Sequence, residues 1–65
     1  MNKDFVRNTH KTLDNFVKKY KTAPKDKQLL IDRRCYKFIE TITVYEVYQL
    51  GFKSYYEKRK QRGGE

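Results

Sequence analysis

The chain has 65 residues, 16 of them Lys or Arg and 8 Asp or Glu, giving a formal charge of +8 with 37% hydrophobic and 37% charged residues. At this length there is room for one domain, which buries only about 60% of the surface its unfolded form exposes. Ten aromatic residues, four Phe and six Tyr, argue against disorder, and a single cysteine excludes an internal disulfide, so a reducing, cytoplasmic setting is expected.

From Asp4 to Tyr20 the apolar positions Phe5, Val6, Leu13, Phe16, Val17 and Tyr20, with Thr9 on the same stripe, follow helical spacing. Lys3, Arg7, Lys11, Asp14, Lys18 and Lys21 occupy the opposite face, and Asn2 or Asp4 can cap the start. The spacing predicts a helix over about 4–21. Pro24 pushes Ala23 out of helical geometry and suits the first turn of a second helix, with Asp26 favourably placed near its N-terminus.

After Pro24, Ile31, Cys35, Phe38, Ile42, Tyr45, Phe52 and Tyr56 form a seam in steps of three and four that Gln49 alone interrupts. One reading is a single helical segment over about 25–60, which makes a lopsided hairpin whose half-open apolar stripe dimerises. The other breaks the segment at Thr41, Ile42 and Thr43, three β-branched residues mildly unfavourable to helix. Thr43 then caps a third helix in a capping box with Glu46, and Ile42 and Val47 form a hydrophobic staple. A strand over Ile42 to Tyr48 is the weaker alternative, since no partner strand is evident. The basic tail 60–65 is expected to fray, with Gly63 and Gly64 ending the helix. The fold class expected is all-α, a small helical hairpin or three-helix domain, dimerising through an aromatic-rich helix.

The stretch Ile42-Thr-Val-Tyr-Glu-Val-Tyr-Gln-Leu-Gly51-Phe-Lys-Ser-Tyr-Tyr-Glu-Lys-Arg59 loosely resembles the helix-turn-helix of small phage excisionases and related regulators. There Thr-Val opens a helix, Leu-Gly turns and Lys or Arg follows. The resemblance covers less than a third of the chain, and Tyr48 stands where a small residue is usual. It implies a recognition helix carrying Lys53, Ser54, Tyr55, Lys58 and Arg59, with basic groups on phosphates and base edges. The alternative is one helix in which Gly51 permits close packing.

Lys18-Lys19, Arg33-Arg34 and Lys58-Arg59-Lys60, together with Lys53 and Arg62, are the candidate phosphate contacts, because each neutralised phosphate releases counterions. Tyr45, Tyr48, Tyr55 and Tyr56, with Phe52, are the candidate protein interface. Cys35 on the seam reads as a buried small hydrophobe. His10 and Cys35 each stand alone, so His and Cys cannot build a zinc site within one chain. Glu40, Glu46 and Glu57 read as helix-surface ion pairs. An enzyme and a cofactor are therefore not expected. No apolar run approaches the roughly 20 residues of a membrane span, and helices that mix acidic groups into the polar face and lack Trp do not suit a lipid surface. The function expected is a non-enzymatic regulator binding nucleic acid, most simply DNA. A protein-binding inhibitor or adaptor of a larger enzyme, of phage or mobile-element type, is the alternative.

Overall fold

The computed structural model describes residues 3–62, the Arg62 side chain excepted. Three helices follow one another: α1 (Lys3–Thr22), α2 (Lys25–Ile42) and α3 (Glu46–Arg62). The chain is all-α, and of the two architectures read from the sequence the three-helix domain is the one formed. Asn2, Gly63 and Gly64, assigned capping and stop roles above, lie outside the described residues.

The breaks have local causes. At Pro24 the backbone is extended (φ −61°, ψ 156°), and the Pro24 carbonyl accepts the first hydrogen bonds of α2 from the Lys27 and Gln28 amides at 2.9 and 3.1 Å. Pro24 is thus the residue just before the helix rather than part of its first turn. The Gln28 Nε2 amide reaches back to the Tyr20 carbonyl at 3.0 Å, which satisfies one of the orphan acceptors at the end of α1 and fixes the reversal. The second break falls at residues 43–45, where Thr43 is extended (φ −132°, ψ 124°).

Thr43 does not cap α3. The helix starts at Glu46, and the Tyr45 carbonyl takes the first bonds, from the Tyr48 and Gln49 amides. Thr43 is instead buried, and its hydroxyl has no hydrogen-bond partner among the described residues. Its interior packing sets the backbone two residues too early for a capping box. The staple fails for the same reason, since Val47 is 72% exposed. Gln49, which interrupts the seam in sequence, supplies the substitute: its amide donates to the Thr43 carbonyl and ties the first turn of α3 to the linker.

Contacts between the helices ascend in step. Phe5 meets Phe52 (ring centroids 6.1 Å), His10 stacks on Tyr55 (4.1 Å), and Tyr20 lies under Lys60, so α1 and α3 are parallel. Phe16 against Phe38 and Gln28 against Tyr20 show that α2 runs the other way. The long axis measures 35 Å. Leu13, Val17, Cys35, Ile39, Phe52 and Tyr56 form the core, each apolar side chain contributing about 1.5–3 kcal/mol of burial. The buried Thr9 satisfies its hydroxyl on the Phe5 carbonyl at 2.8 Å.

Two positions of the seam need correction. Tyr45 is 59% exposed, because the irregular residues 43–45 reset the helical phase and carry it out of register. Ile39, off the seam as read, is buried one turn beyond Cys35. Of the tail 60–65, residues 60–62 belong to α3, with Lys60 bound to Asp32, and 63–65 lie outside the described residues.

Candidate nucleic-acid interface

Up-down-up connectivity brings the C-terminal turns of α1 and α3 and the N-terminal turn of α2 to one end of the bundle. That end carries Lys18, Lys19 and Lys21 from α1, Lys25 and Lys27 from α2, and Lys58 from α3, all exposed and none with an acidic partner among the described residues. Of these, Lys18, Lys19 and Lys58 were singled out by sequence. Lys21, Lys25 and Lys27 were missed because pairing adjacent residues ignores what the turn at Pro24 folds together.

Arg33 and Arg34, on adjacent positions of α2, are exposed and also lack acidic partners among the described residues. Arg33 lines a shallow groove with Asp26, Leu29 and Leu30.

The other predicted phosphate contacts are spoken for. Lys53 approaches Glu40 across α2 and α3 at 4.0 Å. The Arg59 Nε lies 3.2 Å from Asp14, and its guanidinium sits 5.8 Å from the Tyr55 ring centre. Lys60 is a correction: its side chain is only 11% exposed. Its ammonium donates to Asp32 at 2.9 Å, pairs with Glu57 at 3.2 Å, and lies 4.7 Å from the centres of both the Tyr20 and Tyr56 rings. The Tyr56 hydroxyl donates to the same Asp32 oxygen at 2.7 Å. This network joins all three helices and belongs to the core. Burial alone would lower the Lys60 pKa, but the hydrogen bonds to Asp32 and Glu57 outweigh it and the net shift is upward. The Arg62 side chain lies outside the described residues.

Acidic groups at this end are thus consumed internally. Asp32 and Glu57 hold Lys60, and Asp14 holds Arg59 and accepts the Tyr55 hydroxyl at 3.0 Å. Burial first, and then that hydrogen bond, raise the Tyr55 pKa. Among the described residues, only Asp26 stands exposed among the lysines. Beside them, Tyr55, Lys58, Arg59 and Gln61 line a groove of about 270 Å³.

The predicted protein interface divides. Phe52 and Tyr56 are buried in the core, and Tyr55 is half-buried against His10 and Asp14. Tyr45 and Tyr48 are exposed, their rings 6.2 Å apart at the opposite end of the molecule. The helix-turn-helix reading fails, because α3 runs unbroken through Leu50 and Gly51. Gly51 does not serve close packing within the chain either, since a Cβ there would meet nothing within 4 Å.

Cys35 is fully buried, and burial first, then Asp32, push its thiol up to about 12. No group of His, Cys, Asp and Glu able to hold a metal ion occurs among the described residues. Among the described residues no helix is long and apolar enough to cross a membrane. No protein-family model, no curated protein and no solved structure matches the chain.

Proposed function

We propose that this chain is a small nucleic-acid-binding regulatory protein, acting as a homodimer, that docks the phosphate backbone of DNA with the lysine-rich end of its bundle. The observation that carries the reading is the gathering of Lys18, Lys19, Lys21, Lys25, Lys27 and Lys58 on three elements at one end, while the nearby acids Asp14, Asp32 and Glu57 are engaged elsewhere. Flexible, unpaired ammonium groups suit backbone contact, which gives affinity without reading bases.

Fluorescence anisotropy with random duplex and single-stranded DNA, titrated from about 50 to 200 mM salt, tests it. Six phosphate contacts predict a loss of affinity of about 10³-fold over that range. The variant K18Q/K19Q/K21Q should flatten the salt slope by about three contacts for every sequence alike. No binding at the lowest salt sinks the proposal. An adaptor or inhibitor of a larger protein is the second reading, and exposed Tyr45 and Tyr48 favour it. That reading predicts a partner held in high salt and lost on Tyr48→Ala.

A further inference from the structure

The end of the molecule opposite the lysines has the reverse character. From Thr41 to Phe52 there is no Lys or Arg, in a chain where they make up 16 of 65 residues, and Glu46 is the only charge in that stretch. Five large hydrophobic side chains in that stretch stay in water: Val44 (88% exposed), Tyr45, Val47, Tyr48 and Leu50 (59%). Beside them runs a groove of about 310 Å³ between α1 and α3, lined by Val6, His10, Val47, Tyr48, Gly51 and Phe52. A contiguous apolar patch of this kind on a small domain marks an interaction site.

We infer that this face, centred on Val47 and Leu50, pairs with the same face of a second copy of the chain. Charge decides between occupants. A lipid surface or an acidic protein would call for lysines around the patch, yet the unpaired lysines concentrate at the far end. Of the cations nearest in the fold, Arg7 is held by Asp4 at 2.7 Å and Lys53 by Glu40, leaving, among the described residues, Lys3 and Lys11 on the outer face of α1 and Lys37 on α2. Two chains of charge +8 meet with least repulsion through a region cleared of cations. Joining the apolar ends points the two lysine ends away from each other along the 35 Å axis of each copy. A two-fold contact of one face on itself closes at a dimer. It needs about 800 Å² per partner, a modest share of the 5160 Å² this chain exposes. The pairing does not rest on the nucleic-acid reading.

Sedimentation of the full chain over roughly 5–500 µM, at low and high salt, tests it. The expected result is a monomer–dimer equilibrium that tightens several-fold as added salt screens the repulsion between copies, opposite in sign to the salt effect on DNA binding. Val47→Glu and Leu50→Glu, both at exposed positions and checked for helicity by circular dichroism, should each raise the dimer dissociation constant at least tenfold. Leu29→Glu makes the same charge change at an exposed leucine near the other end and should leave the dimer intact. A monomer at every concentration and both salts overturns the inference, and leaves the face to a different protein. Association beyond a dimer overturns it, as does a dimer that Leu29→Glu weakens as much as Leu50→Glu does. None of these outcomes bears on whether K18Q/K19Q/K21Q loses DNA.

Discussion

Replacing Lys60 with methionine separates a lysine that builds the fold from one that would bind a ligand. The substitution keeps most of the side chain's length and apolar stem but removes the ammonium, leaving Asp32 with only the Tyr56 hydroxyl as donor among the described residues and stripping two aromatic rings of their cation. Breaking a fully buried pair by removing one partner costs about 3–5 kcal/mol. Because Lys60 and Asp32 side chains retain 11% and 20% exposure, the low end of that range, about 3 kcal/mol, applies here. A domain of this length holds only about 3–10 kcal/mol in total. At about 4–8 °C per kcal/mol, the thermal midpoint should fall by about 12–24 °C. Lys58→Met is the control, with the same change in charge at an exposed, unpaired position two residues away. Its midpoint should move by no more than about 4 °C, as surface substitutions do. DNA affinity, measured at a temperature where both variants are folded, should reverse the order, with Lys58→Met weaker and Lys60→Met near the parent. Thermal unfolding followed by circular dichroism reads the first comparison and anisotropy the second. If Lys60→Met unfolds no earlier than Lys58→Met, the buried network does not hold the helices together and the reasoning fails.

Thr43→Val should stabilise the domain by about 1 kcal/mol, since it removes a buried hydroxyl without a partner and places a β-branched residue on extended backbone; an unchanged or lower denaturation midpoint would show that the hydroxyl is satisfied. Stability should also fall in alkali. Cys35, Tyr55, Tyr56 and Lys60 all have raised pKa values in the folded state, so the unfolded chain loses its protons first. The stabilisation is complete below about 9, the ordinary value for Cys35, and is lost as pH rises above it, at about 1.4 kcal/mol per pH unit for each proton involved. Urea unfolding at pH 8, 9 and 10 checks this, and Cys35→Ala should delay the onset toward 10, where Tyr55 and Tyr56 ordinarily titrate; a midpoint flat from pH 8 to 10 would refute it.

The helices were legible where pattern and punctuation agree. The stripe through Leu13 and Val17 and the stop at Pro24 are local signals that the backbone follows, whereas the second break, read at Thr41, Ile42 and Thr43, falls at 43–45, with Thr41 and Ile42 still in α2. What failed depended on the third dimension. Thr43 looked like a cap because capping is read from spacing alone, whereas burial in the core turned its hydroxyl inward. Tyr45 looked like core because a seam counted through a break keeps a phase that the chain loses there. Lys60 looked like a phosphate contact because it sits in a basic run, although it also falls four residues after Tyr56 and eight after Phe52, which places it on the buried stripe. A lysine in phase with two core aromatics is the sequence signal that was there to be used. The lysine end was invisible as a unit, since its members come from three helices.

The placement of charge also links ligand binding to stability. A bundle that spends Asp14, Asp32 and Glu57 on internal cations leaves the repulsion among Lys18, Lys19, Lys21, Lys25, Lys27 and Lys58 offset, among the described residues, by Asp26 alone. Self-repulsion of that kind opposes the compact state. Whatever neutralises that end must therefore stabilise the fold as well as bind to it. A polyanion present at about 100 times its dissociation constant adds about 2.7 kcal/mol by mass action alone, comparable to the loss expected from Lys60→Met. Saturating duplex DNA at low salt should therefore restore much of that variant's thermal midpoint. It should do far less for a form that also carries K18Q/K19Q/K21Q, because the fold would have lost the surface through which the ligand acts.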